Sequence, residues 1–166
     1  MSSASSLYVL DANVFIEAAN RYYAFDLAPK FWGSLVLHGK AERLCTIERV
    51  ASEIASPAEL KRWMDGDFSP HVRQSKTEAT LTHYAALMAW AQQEPFTPAA
   101  RSEFASVSDA WLVAYAKAVG GTVVTQETFD AHCRRRVKIP NACQFLSVSV
   151  LDTFAMLRAL GVKLGA

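Results

Sequence analysis

Leu7-Tyr8-Val9-Leu10-Asp11-Ala12-Asn13-Val14-Phe15-Ile16-Glu17 is the stretch on which the fold turns. Four apolar residues, short enough for a buried strand, stop abruptly at Asp11-Ala12-Asn13, and an amphipathic run follows at once. A carboxylate at the end of a first buried strand lies at the carboxyl edge of a parallel sheet, where open α/β sheets bind their ligands. Three more acids stand at element ends: Glu53, Asp109 and Glu127. Four convergent carboxylates without a basic partner are costly unless a divalent cation holds them. The set therefore reads as a hard-metal site of all-oxygen ligands.

Working outward, 166 residues suffice for one domain with a full core, and 1–166 reads as a single unit. Apolar residues at 51% and charged residues at 20% exclude a disordered chain. A formal net charge of +1 gives no global attraction to nucleic acid or membrane, so any polyanion site must be local. Met1-Ser2-Ser3-Ala4-Ser5-Ser6 has neither the basic nor the apolar region of a signal peptide. The uncharged apolar stretches fall far short of the roughly 20 residues a membrane span needs. Cys45, Cys133 and Cys143 match no zinc or CxxC spacing and read as buried or incidental thiols of a reducing compartment. The expectation is a soluble, cytoplasmic protein.

Alternation of strand and helix marks both ends of the chain. Asn13 reads as the N-cap of the first helix, Pro29 as the start of a second, and Gly39 as its stop. Residues 43–46 read as a short strand running into a helix over 47–54. From Pro57 to about Phe104 the pattern is helical, with breaks at Gly66, Pro70, Pro95 and Pro98 and a stripe of Leu81, Tyr84, Ala85 and Met88. Ser108 is expected to cap a helix that Gly120-Gly121 ends. Thr122-Val123-Val124 is a buried strand, and a basic loop with Arg134, Arg135, Arg136 and Lys138 follows. Ile139-Pro140 then opens a short helical turn, and residues 147–150 are the last strand candidate. Asp152 caps a closing helix with Phe154, Leu157 and Leu160 inward. The pattern predicts a three-layer α/β/α domain with a short parallel sheet and a helical middle segment.

Each acid also has a structural reading. Asp11 could be a turn or capping aspartate. Asp109 stands in a first helical turn, where the helix dipole favours an acid, yet it shares a face with Leu112, Val113 and Ala116. Glu53, one turn from Val50, taken alone is a solvated flank residue, with Glu48 on the opposite flank as its control. Glu127 follows a strand end as Asp11 does, and Asp130 competes with it three residues later.

The pieces together resemble the PIN-domain superfamily of metal-dependent nucleases, which includes the VapC-type toxins. Leu10-Asp11-Ala12-Asn13-Val14-Phe15-Ile16 corresponds to the first acidic motif and Val50-Ala51-Ser52-Glu53-Ile54 to the second. Asp109-Ala110-Trp111-Leu112-Val113-Ala114-Tyr115-Ala116 corresponds to the third, and Val123-Val124-Thr125-Gln126-Glu127 to the fourth, with Glu in place of the commoner Asp. Asn20-Arg21-Tyr22-Tyr23, Phe31-Trp32 and Val137-Lys138-Ile139-Pro140-Asn141-Ala142-Cys143 are similar to the DUF4411 branch. The resemblance implies an endoribonuclease using Mg²⁺ or Mn²⁺, with Asp11 and Asp109 as direct ligands and Glu53 and Glu127 bound directly or through water. Asn13 and Thr125 would orient those ligands. It further implies a small cognate antitoxin as partner, and a second copy of the chain is a further candidate partner.

Two basic segments are candidate RNA contacts. Arg134, Arg135, Arg136 and Lys138 could meet phosphates, since arginine forks match phosphate geometry, or could form an ordinary solvated loop. Arg21 with Tyr22 and Tyr23 could combine phosphate and stacking contacts, or the tyrosines could pack in the core. The chain lacks a G-x-S-x-G elbow, a glycine loop after the first strand, and a second Asp at position 13 for an aspartyl-nucleophile phosphatase. The remaining rival is a PIN-fold module that binds RNA or protein without turnover.

Overall fold

Three apolar runs become the buried centre of a parallel sheet. In the computed structural model, which describes residues 6–165, β1 (Tyr8–Leu10), β2 (Leu44–Ile47) and β4 (Thr122–Val124) are buried at every residue. Such burial is what strands covered on both faces require. β3 (Val72–Arg73) and β5 (Val150–Leu151) complete a five-stranded sheet in the order β3-β2-β1-β4-β5. Every pairing is parallel, with Tyr8 beside both Leu44 and Thr122, and Val9 beside both Cys45 and Val123. The chain winds from β1 outward to β3, then crosses back to β4 on the other side of β1. The crevice beyond the ends of β1 and β4 is thus the topological switch point, the place such sheets offer a ligand. The expected α/β architecture is borne out.

The helices follow their sequence signals closely. They are α1 (Ala12–Glu17), which continues as a π-helical turn over Ala18–Tyr22, α2 (Pro29–Lys40), α3 (Glu48–Glu53), α4 (Ala58–Asp65), α5 (Glu78–Gln93), α6 (Pro98–Ser106), α7 (Asp109–Val119), α8 (Ile139–Leu146) and α9 (Thr153–Ala159). Pro29 opens α2, and the Thr77 and Thr97 hydroxyls accept from the backbone N–H of Thr80 and Ala100 at the starts of α5 and α6. Asp152 caps α9 by accepting from Ala155 N at 2.8 Å. Gly120 ends α7 at φ 69°, a left-handed conformation that glycine adopts without penalty. Gly121 is needed for space: a Cβ there would lie 2.8 Å from the Leu7 carbonyl oxygen. Fully buried Phe15 packs edge-on against Phe68, with ring centroids 5.7 Å apart, and tilts against Trp63 at 6.0 Å.

Several local expectations are corrected. Asp11, not Asn13, stands at the N-cap of α1, and no side chain caps that helix. Gly39 lies inside α2, where a Cβ would meet the His71 ring at 2.6 Å, so it serves packing and not termination. The helical middle is interrupted by β3, whose two residues are too few to show a strand period. On α5 the buried residues are Thr80, Leu87 and Ala91, while Leu81 and Ala85 face outward. Residues 139–146 make two full turns of helix, Ser147 takes a left-handed conformation at its end, and the last strand is β5. Phe154 is exposed, and Met156, Leu157 and Leu160 form the inward face of the end of the chain. The reading of residues 1–5 as no targeting segment lies outside the described residues. Among the described residues no helix is long and apolar enough to cross a membrane.

Candidate functional site

Asp11 is fixed by the sheet itself. Its backbone N–H donates to Val124 O at 3.0 Å, extending the β1–β4 ladder, and its carboxylate accepts from Thr125 Oγ1 at 2.9 Å. The residue is only 3% exposed. Burial disfavours its charged form and lifts its pKa to about 6, against the lowering effect of the Thr125 hydrogen bond. Asp109 comes from the first turn of α7. Burial, then the charges of Asp11 and Glu127, push its pKa to about 8, and nearby Arg136 opposes the rise. Asp11, Asn13, Glu53, Glu103, Asp109 and Arg136 line one cavity of about 230 Å³.

Glu53 reaches this cavity from the end of α3 and is anchored there. Its Oε2 accepts from Ser108 N at 2.7 Å and its Oε1 from Ser108 Oγ at 2.6 Å. Ser108 therefore holds the N-cap position of α7 without capping it by its own side chain, since its hydroxyl donates to Glu53. Glu48, read as a solvated control, is engaged in the same way: its carboxylate accepts from Ser75 N at 2.8 Å and Ser75 Oγ at 3.1 Å. Both flanks of α3 carry a glutamate that ties the helix to another segment.

Glu127 leaves β4 with its N–H donating to Thr125 Oγ1. Its Oε1 accepts from Ile139 N at 2.9 Å at the start of α8, and its Oε2 from Arg136 Nη2 at 2.6 Å. The same Arg136 nitrogen lies 3.9 Å from Asp109 Oδ2. The acids thus have a basic partner, contrary to the sequence reading, because a loop residue remote in sequence folds back between them. Asp130 is an exposed turn residue whose Oδ1 accepts from His132 N.

The remaining basic candidates do not gather at the acids. Arg21 pairs with Glu17 at 3.2 Å on an exposed helical surface. Arg134 and Arg135 are exposed, and Lys138 is half-buried at the N-cap of α8. Tyr23 stacks on Phe31 with ring centroids 4.3 Å apart, as core packing requires. Tyr22 is exposed and lines a second cavity of about 320 Å³ with Asn13, Glu17, Gln126 and Glu127, so Asn13 borders both cavities. A larger cavity of about 550 Å³ among Phe25, Trp32 and Trp63 contains none of Asp11, Glu53, Asp109 and Glu127.

A family model described as "Domain of unknown function (DUF4411)" matches residues 8–164. The chain belongs to the DUF4411 family. No curated protein matches it. Among solved structures, this DUF4411 chain is similar to VapBC2 from Rickettsia felis bound to a DNA fragment from their promoter. That likeness has a TM-score of 0.55 and 16% identity, covering 88% of this chain and 98% of that one. It is also similar to FitAcB from Neisseria gonorrhoeae, with a TM-score of 0.53 and 17% identity over 87% of this chain and 96% of that one. At such identities the likeness is one of fold, and the fold is PIN-like.

The donor set of the DUF4411 chain suits a hard divalent cation in its chemistry, being made of carboxylate and amide oxygens. Two nearly buried acids with raised pKa values are also what a bound cation would relieve. What the set lacks is convergence: among the described residues no three His, Cys, Asp or Glu side chains approach closely enough to hold a metal ion as they stand. Arg136 stands between Asp109 and Glu127, and Glu53 is turned to Ser108. Glu103 on α6, exposed yet lining the same cavity, is not marked out in the sequence from any other solvated helix acid. The turn of the Arg136 guanidinium toward Glu127 was also illegible, because Arg134 and Arg135, which precede it, look the same in sequence.

Proposed function

We propose that the protein is a Mg²⁺- or Mn²⁺-dependent endoribonuclease, acting in the cytoplasm as the toxin of a toxin–antitoxin pair. The observation that carries the reading is that Asp11 and Asp109, from elements nearly a hundred positions apart, line one cavity together with Asn13 and Glu53. Asp11 and Asp109 would hold the cation directly, with Glu53 and Glu127 completing its shell directly or through water. When bound, such an ion acidifies a water and neutralises charge on the phosphoryl oxygens. Thr125 fixes the Asp11 carboxylate for that task, and Asn13 is positioned to orient a ligand or meet a phosphate. Exposed Arg134 and Arg135, with Lys138 and Arg21, would meet the RNA backbone farther out. A small antitoxin and a second copy of the chain are the proposed protein partners.

Purified protein is expected to cleave single-stranded RNA with Mg²⁺ or Mn²⁺, leaving 5′-phosphate and 3′-hydroxyl ends, and to stop in EDTA. Asp11→Asn and Asp109→Asn should each lose activity with the circular dichroism of a folded chain. Cleavage in excess EDTA, or a 2′,3′-cyclic phosphate product, contradicts the reading. One observation favours a second reading, a PIN-fold module that binds without turnover: Glu53 and Glu127 are both engaged in hydrogen bonds that tie elements together. RNA binding without metal-dependent cleavage is the result that reading expects.

A further inference from the structure

We infer that Arg136 is a built-in counter-ion of the acid pocket, whose side chain a divalent cation must displace from Glu127 and Asp109 in order to enter. The inference rests on the metal-dependent reading above and concerns the regulation of that same site.

Glu127 closes the loop it begins. One carboxylate oxygen accepts from Ile139 N at 2.9 Å and the other from Arg136 Nη2 at 2.6 Å, so both ends of the loop are fastened to one side chain. That carboxylate is 9% exposed, whereas the Arg136 side chain is 48% exposed and leaves from a loop. The acceptor is buried and anchored a second time at Ile139 N, whereas water reaches the donor. A guanidinium does not deprotonate in proteins, so Arg136 keeps its charge at any working pH. It also stands 3.9 Å from Asp109 Oδ2, within the acid set that would receive the ion.

A divalent cation held by Glu127 and Asp109 would compete with the Arg136 guanidinium for the same two carboxylates. The Oε1 bond to Ile139 N can persist through the exchange and keep α8 in place. The moving part is then the Arg136 side chain, because the segment itself stays fastened: Thr97 N–H donates to Arg134 O at 2.9 Å, Asp130 and Asn141 exchange two hydrogen bonds, and Val137 is buried. Once freed, the Arg136 fork remains at the mouth of the cavity, where a phosphate oxygen is the acceptor best matched to it.

The experiment is Mn²⁺ binding to the full-length chain by isothermal titration calorimetry, for wild type, Arg136→Gln and the charge-matched control Arg62→Gln on α4. Arg136→Gln should bind Mn²⁺ at least tenfold more tightly than wild type, and the control should match wild type. Equal or weaker binding by Arg136→Gln, with wild type binding normally, overturns the inference and leaves the metal-dependent reading standing. Absence of Mn²⁺ binding by all three overturns both. A reading on wild type needs no variant: saturating Mg²⁺ should shift the Arg136 side-chain Nε–H resonance as the guanidinium leaves Glu127, and an unchanged resonance also overturns the inference.

Discussion

Asp109 is subject to two opposing influences. The first turn of α7 favours its negative charge, but burial and the neighbouring carboxylates disfavour it more, and its pKa stands at about 8. Asp11 moves the same way, to about 6, chiefly through burial. Both native values exceed the unfolded value of about 4. The native state therefore holds these protons more tightly than the unfolded chain does. That contribution to stability is complete below about pH 4 and is lost as pH rises through about 6 for Asp11 and about 8 for Asp109. In EDTA, Asp109→Asn should melt above wild type at pH 8, with the gap shrinking towards pH 5. Each 1 kcal/mol of relief corresponds to roughly 2–4 °C for a chain of this size, and loss of the Arg136 contact subtracts from it. Thermal melts across pH 5 to 9 check this. Parallel curves for the two proteins would make Asp109 an ordinary dipole-stabilised helix acid.

The elements that carry the acids are tied together by contacts that sequence patterns do not display. α3 is joined to α7 by Glu53 on Ser108 and by Arg49, whose guanidinium lies 3.9 Å over the Trp111 ring. Trp111 in turn stacks on Tyr84 of α5 at 4.2 Å. Ser108→Ala removes the hydroxyl donor to Glu53 and keeps the backbone one. A hydrogen bond to a charged group contributes about 1.5–3 kcal/mol when buried, so about 1 kcal/mol is expected at this partly exposed pair. A melting temperature unchanged by Ser108→Ala would show the tether to be idle. Strands β1, β2 and β4 were legible because their apolar runs are short and abruptly ended, and α2, α7 and α9 because Pro29, Gly120 and Asp152 mark their boundaries. β3 and the outward turn of Phe154 were not, since a two-residue strand has no period and a helix of two turns tolerates a rotated face. That Asp11 and Asp109 come to line one cavity could be read from their places at element ends. Their partner Arg136 could not, because a loop's return path is set by tertiary contacts, here the hold of Glu127 on Ile139.

For the whole molecule, a formal net charge of +1 gives no long-range pull on RNA. On the proposed reading an RNA would be selected by local groups, the acidic crevice at the switch point and Asn13 between two cavities. The PIN-like fold assembles the crevice from both ends of the chain, so no fragment carrying only β1 or only α7 can hold it. We propose that this crevice hydrolyses RNA through Asp11. The most direct measurement is to induce wild type and Asp11→Asn in a bacterium and to sequence the 5′-phosphorylated RNA ends produced in each. Wild type should generate new ends at a defined set of sites that are absent with Asp11→Asn at equal protein level. The same new ends in both strains, or none in either, would contradict the account.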